Sequence, residues 1–226
     1  MRNAVLHLKK SDPVLRAIIE RVGPCRMEFG DPTFHSLAEA IVYQQLNGKA
    51  AATIFKRFTD LTGDPVAPEG ILKLSAEHLR AVGLSKQKSS YLFDMAERAQ
   101  RGELDFSKLA GMTDDEVIEH LTQVKGVGVW TAHMFLMFTL QRANVLPTGD
   151  FGIRMAIHKH YLDRAAKRKN GAPKTTAKKK VAKAPKVKVA LPTPEQMEKI
   201  AKRWAPYRSI ACWYLWRSLD TKTIGS

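Results

Sequence analysis

The chain has 226 residues and is 44% hydrophobic, so it can bury a substantial core as one domain or two closely packed lobes. Its formal charge of +15 favours a polyanionic partner, but residues 164–190 hold eleven Lys and Arg and no Asp or Glu, which leaves about +4 elsewhere. Its two cysteines, Cys25 and Cys212, exclude a four-cysteine metal or iron–sulfur site within one chain and favour a reduced compartment.

The hydrophobic pattern of the sequence contains no clear signal for β-strands. The sequence shows no convincing period-2 alternation bounded by Asn-Gly or Asp-Gly turns, so we expect a nearly all-α fold. The opening MRNAVLHLKK predicts no signal peptide, and the chain has no apolar stretch of about 20 residues that would suggest a membrane span.

The N-terminal third predicts helices separated by short turns. Residues 11–22 read as a helix with Ser11 as its cap. A longer helical stretch, residues 34–58, is expected to break near Gly48, where Gln44 and Gln45 interrupt its apolar face. A polar pair in that position is more often a plain surface turn than a functional site.

Residues 75–100 predict a helix-turn-helix in which Gly83 ends the first helix. Lys86 and Lys88 follow the turn. We expect both to be solvated, with a phosphate contact as the less favoured alternative.

A second helical hairpin spans residues 113–140. Thr113 to Glu116 form a capping box ahead of an apolar helix, Gly126-Val127-Gly128 makes a tight turn, and Val129–Leu140 forms the next helix. Backbone N–H groups at the start of that helix are a ready site for a phosphate. A plain helix connection is the competing interpretation.

Asp150 opens a further helix at Phe151-Gly152-Ile153-Arg154. Taken alone, an Asp in this place is more often an N-cap than a catalytic group. The helix dipole favours a negative charge there in either case.

Residues 164–190 are low-complexity Lys, Ala and Pro, which predicts a disordered insertion. Two roles remain open for it: a solvated spacer, or a non-specific DNA tether. Beyond it, Trp204, Trp213 and Trp216 predict dense packing in the C-terminal stretch.

The order of hairpin, Pro147- and Gly149-containing loop and single Asp150 resembles the helix-hairpin-helix (HhH-GPD) DNA glycosylases, 3-methyladenine DNA glycosylase II branch. The resemblance covers most of residues 30–161 and 192–218. It implies a two-lobed helical fold with the active-site cleft between the lobes. The middle lobe would span about 32–130, and the N-terminal segment with 131–226 would form the other, interrupted by residues 164–190.

The resemblance implies a role for each motif. Asp150 would be catalytic. Trp130, Phe34 and Gln44 would line the base pocket. Candidates for filling the gap left by an extruded nucleotide are Gln45, Leu46 and Asn47. Gly126, Gly128, Val129 and Thr131 would bind a DNA phosphate, and the main-chain carbonyls of Thr122, Val124 and Val127 would hold a monovalent cation.

The activity implied is hydrolysis of the N-glycosidic bond of alkylated purines after base flipping, which leaves an abasic site. The alternatives are action on deaminated, etheno or mismatched bases, or a non-catalytic DNA-binding protein. Double-stranded DNA would be the partner of a monomeric protein that needs no cofactor. The protein would be cytoplasmic and associated with the nucleoid, or nuclear if eukaryotic.

Two positions refine this expectation. Members of the superfamily that also cleave the strand carry a Lys where this chain has Trp130, so no lyase step is expected. Trp is also the best aromatic face for a positively charged alkylated purine. Gly149 departs from the Asp of many relatives, although the catalytic position maps to Asp150.

Overall fold

The computed structural model describes residues 1–163 and 190–220, and within those ranges the secondary structure is helical with no strand. The all-α prediction is therefore confirmed. No helix in the described ranges is both long and apolar enough to cross a membrane. The predicted insertion lies outside the described residues apart from Ala190.

The α-helices are, in chain order, α1 (Arg2–Ser11), α2 (Pro13–Val22), α3 (Phe34–Tyr43), α4 (Gly48–Thr62), α5 (Pro68–Leu72), α6 (Ala76–Ala81), α7 (Lys86–Gln100), α8 (Asp114–Thr122), α9 (Val129–Phe138), α10 (Phe151–Ile157), α11 (Pro194–Ala201) and α12 (Arg208–Arg217). A π-helical turn, His158–Leu162, follows α10, and 3-10 turns occupy Leu109–Gly111 and Lys202–Trp204.

These elements form two compact units. Unit 1 combines Met1–Met27 with Ala143–Ser226, and unit 2 is the continuous segment Glu28–Arg142. Unit 2 thus begins near the expected lobe boundary at about residue 32 but extends beyond the expected end at 130, because α9 packs against α8.

A buried carboxylate organises unit 1. We expected one helix over 11–22 capped by Ser11, but the chain forms α1 first, and the cap of α2 is Asp12. Asp12 Oδ1 accepts from the N–H groups of Val14 (2.8 Å) and Leu15 (3.2 Å). Its Oδ2 accepts from Tyr161 Oη (2.9 Å) and Trp204 Nε1 (2.8 Å), so the fully buried carboxyl group accepts four hydrogen bonds.

Helix α12 supplies much of the remaining core of unit 1. Its residues from Ser209 to Leu215 are all buried, and the helix packs against α2 and α10. Ser209 Oγ accepts from the Val145 N–H at 3.0 Å, and Tyr214 Oη donates to the Gly23 carbonyl at 3.1 Å. The dense packing predicted for this stretch is confirmed.

In unit 2, the predicted break after α3 is confirmed, since α3 ends at Tyr43 and α4 begins at Gly48. The predicted helix-turn-helix is α6 and α7, with Gly83 at φ +104° between them. The expectation that Lys88 is solvated is wrong. Its Nζ donates to the carbonyls of Val42 (2.7 Å) and Gln44 (2.6 Å) at the end of α3, and burial lowers its pKa.

Candidate active site

The predicted hairpin consists of α8, the glycine turn (residues 123–128) and α9. The capping box is confirmed: Thr113 Oγ1 accepts from the Glu116 N–H, and Glu116 Oε2 accepts from the Thr113 N–H. Gly126 has a positive φ of +78°, whereas Gly128 is at −98°. A Cβ on Gly126 would lie 2.1 Å from the Tyr91 ring, so only glycine fits against that aromatic face.

Two polar side chains hold the glycine turn. Asp94 Oδ2 accepts from the Lys125 N–H at 2.9 Å, and Gln44 Nε2 donates to the Gly126 carbonyl at 3.0 Å. Burial by itself would raise the pKa of Asp94, but the N–H of Lys125 and the side chains of Arg98 and Lys125 favour its charged form, so the net pKa is lowered. The turn is therefore fixed from both sides.

The start of α9 is exposed to solvent where a ligand could approach it. Val129 is 52% exposed and Trp130 49%, and α9 begins directly after Gly128 with an N-terminus that lacks a side-chain cap. Thr131, predicted to contact phosphate, is only 7% exposed. Its side chain is thus part of the core, and any phosphate contact there would come from the backbone.

The α3–α4 turn (residues 44–47) carries the gap-filling candidates. Gln45 adopts φ +58°, and Leu46 is 39% exposed. Asn47 caps α4, where its side chain accepts from the Ala50 N–H at 3.0 Å. Asn47 therefore has a structural task, while Leu46 presents an apolar side chain to solvent.

The two other residues predicted for the base pocket are placed differently. Phe34 is largely buried and packs edge-to-face with Phe106, with 6.1 Å between ring centroids. Gln44 is half-buried with its amide on the Gly126 carbonyl. The structure thus brings Gln44 to the hairpin and puts Phe34 in the apolar interior of unit 2.

In unit 1, Asp150 caps α10 and is only 8% exposed. Its Oδ1 accepts from the Ile153 N–H at 2.7 Å and from Trp216 Nε1 at 2.8 Å. The first contact is the predicted cap. The second orients the carboxylate with a rigid aromatic donor, and it was not predicted.

Gly152 allows the indole of Trp216 to reach Asp150. A Cβ on Gly152 would lie 2.9 Å from Trp216 Cδ1 and 3.2 Å from Asp150 Oδ1. A glycine in the first turn of a helix is an unusual choice, because it weakens the helix relative to alanine. That was the available sign in the sequence that another group packs closely here.

Comparison with known proteins gives a family for this arrangement. Residues 38–206 match the family model described as "HhH-GPD superfamily base excision DNA repair protein". The chain belongs to that superfamily.

Named relatives of this HhH-GPD protein extend over nearly its whole length. DNA-3-methyladenine glycosylase 1 of Schizosaccharomyces pombe is 32% identical over 96% of this chain and 87% of its own. The crystal structure of a DNA-3-methyladenine glycosidase from Bacillus halodurans superposes with a TM-score of 0.75, at 34% identity, covering 96% of this chain and 89% of that one. The S. pombe 3-methyladenine DNA glycosylase in complex with abasic DNA gives a TM-score of 0.71 at 33% identity, covering 95% of each chain.

The Cys212 thiol of the HhH-GPD protein lies close to Asp150. Burial and the nearby Asp150 carboxylate both raise the pKa of the Cys212 thiol, so the sulfur stays protonated and is a poor nucleophile. In unit 2, Lys125 Nζ lies 3.4 Å from Asp94 Oδ1, and its side chain is 66% exposed. No group of three His, Cys, Asp or Glu in the described ranges could hold a metal ion.

Proposed function

We propose that this protein is a DNA glycosylase that removes alkylated purines, of the 3-methyladenine and 7-methylguanine type, from double-stranded DNA. The observation that carries the proposal is the buried Asp150 carboxylate, aimed by the Trp216 indole and the Ile153 N–H at the start of α10. Superfamily membership and relatives named as 3-methyladenine glycosylases support the same reading.

Asp150 supplies the negative charge that the reaction needs. As the bond from C1′ to the base nitrogen breaks, the bonding electrons leave with the cationic base, and positive charge develops on the sugar. A fixed carboxylate stabilises that charge, because its orientation is established before the reaction begins. Water then adds to C1′ and loses a proton, so the products are the free base and an abasic site.

Trp130 is the proposed stacking wall for the extruded base. Its indole is half-exposed at the start of α9. An alkylated purine carries a positive charge, and an indole face attracts a cation by about 0.5–2 kcal/mol. Strand cleavage would need a lysine amine as nucleophile. The lysine nearest to Trp130 in sequence is Lys125, whose Nζ is paired with Asp94, so we propose base removal without strand cleavage.

The glycine turn is the proposed phosphate anchor, with N–H groups of Gly128 and Val129 available at the start of α9. A monovalent cation, if bound, would be held by main-chain oxygens of Thr122, Val124 and Val127. The Thr122 hydroxyl donates to the Ile118 carbonyl at 2.7 Å, so a ligand from this residue would be its main-chain oxygen. Such an ion would strengthen the positive field at the turn.

The test compares wild type with Asp150→Asn on DNA treated with a methylating agent. Asn is an equally good N-cap, so the variant keeps α10 while removing the charge. Release of free base should fall by about 100-fold or more, and DNA binding should be retained. Asp220→Asn, at an exposed carboxylate paired with Arg217, is the matched control and should release base normally.

Strands are checked for nicks in the same reactions. Base release by wild type without nicking supports the proposal. Equal release by wild type and Asp150→Asn would refute the role of the carboxylate. Release of deaminated or etheno bases from duplexes that carry them, with no release of methylated purines, would show a different substrate on the same scaffold.

A further inference from the structure

One residue links the two turns of unit 2 that carry the proposed DNA contacts. Gln44 ends α3, and Gln45 and Leu46 follow it directly. Its side-chain amide donates to the Gly126 carbonyl in the glycine turn, 82 positions along the chain. The α3–α4 turn is therefore bonded to the glycine turn through a single side chain.

Lys88 fixes the other end of that link. Its Nζ donates to the main-chain carbonyls of Val42 and Gln44. These carbonyls end a helix and would otherwise lack helical partners. Lys88 thus holds the main-chain carbonyl of Gln44, and the side-chain amide of Gln44 holds the Gly126 carbonyl. Both the backbone and the side chain of Gln44 are therefore restrained.

Fixing the Gly126 carbonyl also orients the next peptide. The peptide group is planar, so the hydrogen bond from Gln44 sets the direction of the plane that joins Gly126 to Val127. Asp94 sets the plane that joins Val124 to Lys125 through the Lys125 N–H, and the Tyr91 ring closes one face of Gly126. These contacts restrain the backbone just before α9 and so help to orient the N–H groups at the start of that helix.

We propose that Gln44, anchored by Lys88, is a positioning residue that keeps the α3–α4 turn at a fixed separation from the glycine turn. The gap filler and the phosphate anchor then meet DNA as one rigid element. This rests on the proposed function, in which both turns contact the same damaged duplex. It assigns Gln44 a role different from the base-pocket position implied by the resemblance.

The first measurement is discrimination between two duplexes of one sequence, with and without a single tetrahydrofuran abasic-site analogue. Gln44→Met keeps the length of the side chain and removes its donor. It should lower the affinity ratio of abasic to undamaged duplex by roughly 10-fold, while binding to undamaged DNA changes by less than about twofold, since phosphate charge pairing is intact. Gln100→Met, at an exposed position at the end of α7, is the control and should leave the ratio unchanged.

Lys88→Met tests the anchor, and the double variant tests the link. Because both residues act through one connection, the double variant should lose no more discrimination than the more affected single variant. Independent, additive losses would overturn the link between them.

The second measurement is amide hydrogen exchange over residues 124–129 in the absence of DNA. Gln44→Met should exchange faster there than wild type and Gln100→Met, because the turn has lost a restraint. Unchanged exchange would overturn the restraint itself. Faster exchange with unchanged discrimination would overturn its connection to DNA binding.

These readouts separate the alternatives. A base-pocket role would slow base release but would not alter affinity for the abasic analogue, which has no base, so that pattern contradicts the positioning role. A wild type that does not prefer the abasic duplex would refute the coupling to DNA, whereas the proposed function is tested separately by base release. Amide exchange would still decide whether Gln44 restrains the turn.

Discussion

Replacing Gly152 with alanine should impair catalysis more than folding. The added Cβ would lie 2.9 Å from Trp216 Cδ1 and 3.1 Å from its Nε1. Ordinary carbon contacts are 3.5–4.0 Å, so the indole must retreat by at least about 0.6 Å. The hydrogen bond to Asp150, now 2.8 Å, would lengthen to about 3.4 Å and pass the usual limit for N–H···O bonds.

The magnitude follows from the strength of that bond. A hydrogen bond to a charged acceptor contributes about 1.5–3 kcal/mol, so base release should slow by roughly 10- to 100-fold if the carboxylate loses its orientation. Alanine favours the helix over glycine by about 0.5–1 kcal/mol, which offsets part of the strain. The free energy of unfolding should therefore fall by less than about 2 kcal/mol.

Gly149→Ala is the matched control, because a Cβ there would have no neighbour within 4 Å. Both variants are assayed by single-turnover release of 7-methylguanine and by urea unfolding. We expect Gly149→Ala to match wild type in both. Equal loss of rate in the two variants, or full activity in Gly152→Ala, would refute the argument that the Trp216 contact sets the carboxylate.

Three further outcomes are expected. Trp130→Ala should slow release of cationic 7-methylguanine by about 2- to 30-fold and release of neutral hypoxanthine by less, in single-turnover assays; equal losses would contradict a cation–π role. Asp12→Ala should lower the free energy of unfolding in urea by about 2–5 kcal/mol, because Trp204 Nε1 and Tyr161 Oη lose their acceptor, and a loss below 1 kcal/mol would contradict this. The pKa of Asp94 is lowered in the folded state, so the stability it contributes is present above the unfolded-state pKa of about 4 and is lost as the pH falls through the folded-state pKa. Asp94→Asn should therefore be less stable than wild type at pH 7, and its stability should depend less on pH below about pH 4. Parallel stability curves for the two proteins would refute this.

The elements that local chemistry specifies were predictable. The capping box before α8 and the Asp150 cap each depend on residues within four positions of one another. Such patterns are read directly along the chain. The break after α3 was visible for the same reason, since Gln44 and Gln45 interrupt the apolar periodicity of that stretch.

What could not be predicted depends on contacts between distant parts of the sequence. Trp216 reaches Asp150 across 66 positions, and Tyr161 reaches Asp12 across 149. Periodicity shows only that an aromatic residue is buried, not which polar group its N–H or O–H meets. Lys88 was misjudged for the same reason, because its acceptors are two carbonyls more than forty positions away.

The order of the segments in unit 1 has a consequence during synthesis. Helices α1 and α2 precede unit 2 in the chain, whereas α12, which packs against α2 together with α1, follows unit 2 and ends at Arg217. Unit 2 is continuous between them, so it can complete its own contacts as soon as residue 142 leaves the ribosome. Until α12 is made, α2, which carries the buried side chains Leu15, Ile18 and Ile19, lacks one of the helices that it packs against. Unit 1 therefore stays incomplete while unit 2 is synthesised, and the same late closure joins Asp12 to Trp204.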